Sequence, residues 1–206
     1  DCLLSRGLGD VYKRQTFEDA KRAFDAGARG VTHLFNAMSQ LGHRSPGLVG
    51  AALQTPNVWC GIIADGYHVH PAAIDVALRA KQGQGTMMAI TDAMPTVGVD
   101  EGVFELNGRT VRRSNGRLTL DDGTLAGSDL TMIGAVQYLV GTIGVPLEEA
   151  LRMASLYPAT FLGLQGERGA LTEGLRADMV WMDTALNLRG VWIGGRKLPR
   201  DGQEDA

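Results

Sequence analysis

Three apolar segments of this 206-residue chain each run into polar residues of the kinds that perform hydrolytic chemistry. His33 and Asn36 end the run GVTHLF, Asp65 and His68 follow VWCGIIA, and Thr91 and Asp92 close TMMAIT. An imidazole can hold a divalent cation, and a carboxylate beside it can take a proton from an attacking water and pass it to a leaving group. Taken singly, each has a plainer use: His33 as a hydrogen-bonded core histidine, Asp92 as a helix cap or ion-pair partner. Their recurrence after successive apolar segments is the informative feature, and it matches what a metal-water hydrolysis needs.

The elements that must position these residues are legible in the periodicity. Thr16 is a candidate N-cap for TFEDAKRAFDAG, with Glu18 and Asp19 in the first turn, an apolar face of Phe17, Ala20, Ala23 and Phe24, and Gly27 as the stop. A strand is expected over 30–34, a short helix near 48–53 and a second strand over 58–64. Pro71 opens the helical PAAIDVALRAKQG, and TMMAITDA supplies a third strand. Near-continuous apolar strands alternating with amphipathic helices predict a parallel sheet covered on both faces, with function at the strand C-termini. Between Gly102 and Leu120 the pattern shortens and alternates around Asn107-Gly108 and Asn115-Gly116, which predicts a β-hairpin insertion. Helices are expected over 129–142 and from 147 to about 163, where Pro146 begins one and Pro158 interrupts another. ADMVWMD and RGVWIGGRKL read as strand, turn and strand of a small separate sheet.

Composition narrows the classes. Twenty Lys and Arg against 23 Asp and Glu leave a net charge of −3, which lacks the basic footprint of a general nucleic-acid binder. The strongest apolar stretch, near 58–64, is far below the roughly 20 residues of a membrane span, so neither nucleic acid nor membrane is an expected partner. Cys2 and Cys60 cannot form a disulfide framework or a CxxC knuckle, and Cys60 inside VWCGII reads as a buried small hydrophobe. The start DCLLSRGLGDVYKRQ has no charged segment leading into an adequate apolar one, so a cytoplasmic location is expected.

The motifs THLFNAM, GHRSPG, GIIADGYHV, ITDAMP, GTLAGSDLTM and ASLYPAT with GALTEGLRADMVWMD follow one another in that order from Thr16 to about Leu198. In this order they resemble the later half of the N-acetylglucosamine-6-phosphate deacetylase family, in the amidohydrolase superfamily. The resemblance implies an α/β fold: a partial (β/α)8, TIM-like metal-dependent hydrolase barrel, later strands only, with the C-terminal part of a small β-sandwich. It implies His33 as a metal ligand and Asp92 as the catalytic carboxylate, serving a divalent metal ion, with zinc or iron ahead of manganese or cobalt. It further implies substrate contacts from Asn36, Ala37, Arg44, Asp65, Gly66, Tyr67, His68, Leu125, Ala126 and Gly127, the guanidinium of Arg44 being suited to a phosphate. The implied reaction is hydrolysis of N-acetylglucosamine 6-phosphate to glucosamine 6-phosphate and acetate, by a homodimer of the full-length parent acting on a small amino-sugar phosphate. His43 and His70 are left as loop histidines, and Ser128 and Met132 either line the pocket or start the following helix, the helix reading being preferred.

The sequence departs from that family at its start. The family carries a GHSNA- or GHTNA-like segment before the helix that begins here at Thr16, whereas this chain has VYKRQ, and the metal-binding histidine would fall on Tyr12. Residues 1–15 are therefore expected to be a foreign leader from a cloning or assembly boundary, 16–170 the second half of the barrel, 171–200 the sandwich segment and 201–206 a polar tail. Two alternatives stay open: a non-catalytic fragment without a complete metal site, and an amidohydrolase for another N-acyl sugar or a cyclic amide.

Overall fold

The computed structural model describes residues 15–99, 102–106, 108–114 and 116–199. The Tyr12 position, the tail over 201–206 and all of the expected leader except Gln15 lie outside them. Helix α1 (Phe17–Asp25) begins with a reciprocal cap: the Thr16 hydroxyl accepts from the Asp19 N–H at 3.1 Å, and the Asp19 carboxylate accepts from the Thr16 N–H at 3.0 Å. It hands over to β1 (Gly30–Val31), followed by α2 (Gly47–Gln54), β2 (Trp59–Ile63), α3 (Pro71–Ala80) and β3 (Met87–Ile90). The strands pair in parallel in the order β1-β2-β3, with Val31 beside Cys60 and Ile63 beside Ile90. Their C-terminal ends thus share one edge.

β1 is shorter than expected. His33 takes a φ of +35°, outside extended backbone, so the β-branched run cannot continue as a strand, although the Leu34 N–H still donates to the Gly61 carbonyl at 2.8 Å. Cys60, Ile62 and Ile63 of β2 are wholly enclosed, as is Ile74 of α3, and every residue of α2 from Gly47 to Leu53 is buried. Burial pushes the Cys60 thiol up to about 11, only weakly opposed by the charge of Lys81. That fits the inert core role expected from VWCGII.

The expected hairpin insertion is a larger unit. Strands β4 (Val103–Leu106), β5 (Arg109–Ser114), β6 (Arg117–Leu120) and β7 (Leu125–Ser128) form a four-stranded antiparallel sheet in sequential order. Gly108 and Gly116 fall between strands as expected, their partners Asn107 and Asn115 lying outside the described residues, and Leu125, Ala126 and Gly127 lie in the fourth strand. Helix α4 (Met132–Tyr138) starts later than expected, because Ser128 is still engaged with the residues after β3, and Thr131 caps the helix through the Gly134 N–H. A π-helical turn (Leu139–Ile143) ends on left-handed Gly144. Helices α5 (Leu147–Ala154) and α6 (Leu156–Phe161) separate at Ser155, and Pro158 does not interrupt a helix as expected. It occupies the first turn of α6, where a backbone N–H has no helical acceptor to lose. Strands β8 (Met179–Met182), β9 (Leu188–Ile193) and β10 (Arg196–Lys197) make the small antiparallel sheet expected from the two tryptophan-bearing segments.

The described residues contain three parallel strands and no closed barrel, as a partial barrel requires. Among them no helix is long and apolar enough to cross a membrane.

Candidate active site at the C-terminal edge of the parallel sheet

The loops leaving β1, β2 and β3 carry His33, Asp65 and Asp92, side by side because parallel register brings the strand ends together. Backbone strain is concentrated there. Of the five described non-glycine residues with positive φ, four are His33 (+35°), Phe35 (+76°), Ala37 (+51°) and Asp92 (+51°). Left-handed backbone costs an L-residue roughly 1–2 kcal/mol, and such strain persists where surrounding bonds over-determine the chain, most often at functional sites.

In the first loop the His33 carbonyl accepts from the Asn36 N–H at 2.8 Å, and the Asn36 amide donates to the Leu34 carbonyl at 3.3 Å. Gln40 ties the loop down through the carbonyls of Phe35 and Met38. The Nδ1 atom of His33 is buried and, among the described residues, meets no hydrogen-bond partner. An orphaned imidazole nitrogen fits a metal ligand, since a coordinating lone pair needs no hydrogen bond. No three His, Cys, Asp or Glu side chains group as metal donors among the described residues, however. His33 thus fits as one donor, and the described residues do not make a metal site by themselves.

The second loop is built around Asp65. One carboxylate oxygen accepts from the N–H groups of Tyr67 and His68 at 2.8 and 2.9 Å, and the other accepts from His68 Nδ1 at 2.6 Å. Both side chains are only 8% exposed. Burial pushes the Asp65 carboxyl upward, but the imidazole bond and the two N–H donors together outweigh it and hold the group below its ordinary value. The bond to Asp65 raises the His68 pKa against the effect of burial, helped by the charges of Asp65 and Asp92 and by a hydrogen bond to the backbone of Gly127. The result is an imidazole whose cationic form is favoured and whose orientation is fixed by Asp65.

Gly66 has a φ of +77°, and a Cβ there would meet the Tyr138 hydroxyl oxygen at 2.6 Å. Burial, and then the charge of Asp65, raise the phenol pKa of Tyr138. Tyr67 is exposed, and the guanidinium of Arg117 lies 4.2 Å from its ring centroid.

Asp92 is solvent-exposed. Its carbonyl accepts from the Ser128 N–H at 2.9 Å, which brings β7 alongside the loop after β3. Gly127, with a φ of +69°, lets the backbone pass Met94 and the Asp92 carbonyl, where a Cβ would lie 2.5 Å from Met94 Cγ and 3.2 Å from that oxygen.

The fold therefore brings together Asp65, Gly66, Tyr67, His68, Asp92 and Gly127, with Ala126 next to Gly127 and half-buried and Leu125 exposed on the same strand. Arg44 and His43 stand exposed on the loop before α2, and Arg44 makes no ion pair among the described residues. His70 does more than sit in a loop: its Nδ1 accepts from the Ala72 N–H at 3.2 Å and caps α3. Met132 begins α4 as expected, whereas Ser128 ends β7 instead of starting the helix. Tyr138 and Arg117 escaped recognition as site residues because their neighbours lie far away in sequence, with no spacing to announce them.

The parallel α/β edge, with His33, Asp65 and Asp92 on its loops, lies within residues 13–198, which match the amidohydrolase family, to which the chain belongs. Among its relatives are the N-acetylgalactosamine-6-phosphate deacetylase of Escherichia coli O157:H7, 41% identical over 185 residues, and the N-acetylglucosamine-6-phosphate deacetylase of Vibrio furnissii, 42% identical over 180. These alignments take in 90% and 87% of this chain but 48% and 45% of the relatives. The crystal structure of N-acetylglucosamine-6-phosphate deacetylase from Pasteurella multocida is similar at a TM-score of 0.87 and 33% identity, over 92% of this chain and 49% of that one. The chain spans about half the length of the curated relatives it matches.

Proposed function

We propose that this chain carries the C-terminal part of the active site of an N-acetyl amino-sugar 6-phosphate deacetylase, which hydrolyses N-acetylglucosamine 6-phosphate to glucosamine 6-phosphate and acetate. The observation that carries the reading is the meeting of Asp92 with the Asp65–His68 pair at the sheet edge, in a chain of the amidohydrolase family. In this reading 16–170 is the second half of the barrel, 171–200 the sandwich segment, and the full-length protein a homodimer.

Asp92 takes a proton from the attacking water as its oxygen bonds to the acetyl carbon. It returns the proton to the nitrogen as the C–N bond breaks, because an amine leaves poorly unless protonated. A divalent metal, with His33 as one of its ligands and the remaining donors from outside the described residues, would supply Lewis acidity toward the acetamide carbonyl. His68, whose cationic form Asp65 favours, donates toward the anionic or hydroxyl groups of the sugar phosphate. Asn36, Ala37, Tyr67 and the β7 backbone over Leu125, Ala126 and Gly127 shape the walls, and Arg44 pairs with the phosphate.

Asp92→Asn in the full-length protein tests the reading. Loss of a proton relay should lower kcat by about 10²–10⁴-fold with metal content unchanged, and near-normal turnover would sink it. A second reading differs in one sugar hydroxyl. The relative from Escherichia coli O157:H7 is named for the galactosamine epimer, so kcat/KM for the two N-acetylhexosamine 6-phosphates, measured side by side, decides between them.

A further inference from the structure

We infer that Ser128 is a positioning residue for Asp92, a role that rests on reading Asp92 as the proton-relaying carboxylate. Asp92 lies two residues beyond the end of β3, in solvent and in left-handed backbone. Among the described residues no side chain of β3 is bonded to it, and the bonds that hold its backbone come from β7.

Ser128 imposes it from β7, with four hydrogen bonds converging on one residue that is 2% exposed. Its N–H donates to the Asp92 carbonyl at 2.9 Å, and its carbonyl accepts from the Met94 N–H at 3.0 Å, so the chain is pinned on both sides of Ala93. Its hydroxyl donates to the Thr91 carbonyl and accepts from the Leu130 N–H at 3.0 Å. The peptides before and after Asp92 are both held. Two of these bonds are made by the backbone and remain available to alanine or threonine, whereas the bond to Thr91 belongs to the hydroxyl alone.

A second fastening holds the far end of the same loop. The Asp129 carboxylate, 6% exposed, accepts from Arg113 Nε of β5 at 2.6 Å and from the Thr96 hydroxyl at 3.4 Å, while Arg113 Nη1 donates to the Val99 carbonyl at 2.8 Å. The antiparallel sheet is thereby bolted to 91–94 through Ser128 and to 96–99 through Asp129 and Arg113. Its contribution to Asp92 is conformational: it fixes where the carboxylate starts, without touching the reacting atoms.

The experiment compares Ser128→Ala, Ser128→Thr and Asp92→Asn in the full-length protein, reading kcat and KM separately, and follows amide exchange at Met94 and Ser128. Wild-type protein should protect both amides, and rapid exchange there would overturn the clamp even if Ser128→Ala fails to fold. Freed from the Thr91 bond, Asp92 should lose alignment, so Ser128→Ala should lower kcat at least about tenfold with KM within about threefold, and Ser128→Thr should restore kcat. Equal kcat in Ser128→Ala and wild type, or a loss confined to KM, refutes positioning while an inactive Asp92→Asn keeps the deacetylase reading intact. A fully active Asp92→Asn refutes both.

Discussion

Strand β2 of the parallel sheet and strand β8 of the C-terminal antiparallel sheet both lack charged residues but use their apolar side chains differently. In β2 the residues from Cys60 to Ile63 are buried on both faces within this chain, between helices that the sequence places before and after each strand. In β8 Val180 and Trp181 remain 55% and 58% exposed, and Trp181 lines an open apolar groove of about 410 Å³ with Leu147, Leu171, Met179 and Trp192. Hydrophobicity of a strand therefore does not by itself measure its contribution to stability; what covers it does. The difference also separates tasks, because the candidate site residues lie on the loops at the parallel edge, on the β4–β7 sheet beside it and, for Tyr138, at the end of α4, and none lies on β8–β10.

The largest expected effect comes from breaking the covered side of this contrast. Ile62→Ala leaves a cavity in a fully enclosed position and should cost about 2–5 kcal/mol in denaturant unfolding. A loss below 1 kcal/mol would mean that the parallel core is looser than its burial implies. Asp65→Asn comes next. It removes a charge-assisted bond from His68 in a site 8% exposed, and should cost roughly 1.5–3 kcal/mol near pH 5–6.

The sign of its pH dependence follows from the two shifts. The raised His68 pKa gives stability that is complete below the ordinary histidine value of 6.5 and is lost as pH rises through the folded value. The lowered Asp65 pKa gives stability that is present above the ordinary 3.8 and is lost as pH falls. The pair therefore contributes most between about pH 4 and 6.5. Asp65→Asn should flatten that part of the stability profile, and an unchanged profile would show that the pair is not formed in solution.

Thr16→Ala, which dismantles the reciprocal cap of α1, should cost about 1 kcal/mol, read as a shift of the urea midpoint at constant slope. Trp181→Ala should have the smallest effect, within about 0.5 kcal/mol for a side chain in solvent. A cost matching that of Ile62→Ala would overturn the contrast, because it would mean that the β8 face is covered in solution.

Much of the architecture could be read in advance because its causes are local. Thr16, Pro71 and Gly27 act on their own neighbours, and the apolar runs of β2 and β3 need only their own composition to become buried strands. The same holds for the parallel edge: once three strands alternate with helices, His33, Asp65 and Asp92 must emerge on one side. Two departures from the expected elements come instead from backbone conformation and from contacts distant in sequence. β1 stopped early because His33 leaves extended backbone, and α4 started late because Ser128 is held by residues after β3. Nothing in the composition around either position encodes that.

What the sequence determined by itself was the set of candidate groups and the strand ends that bear them, since side-chain chemistry and the period of burial are properties of the chain. Tertiary structure alone decided which groups meet. It placed Gly127 beside His68, Tyr138 against Gly66 and Arg117 over Tyr67, and it closed Ser128 onto the peptides around Asp92. These pairs are separated by tens of residues. Their encounter depends on how the β4–β7 sheet docks against the parallel edge, a docking fixed by hydrogen bonds and buried charge that no local pattern records.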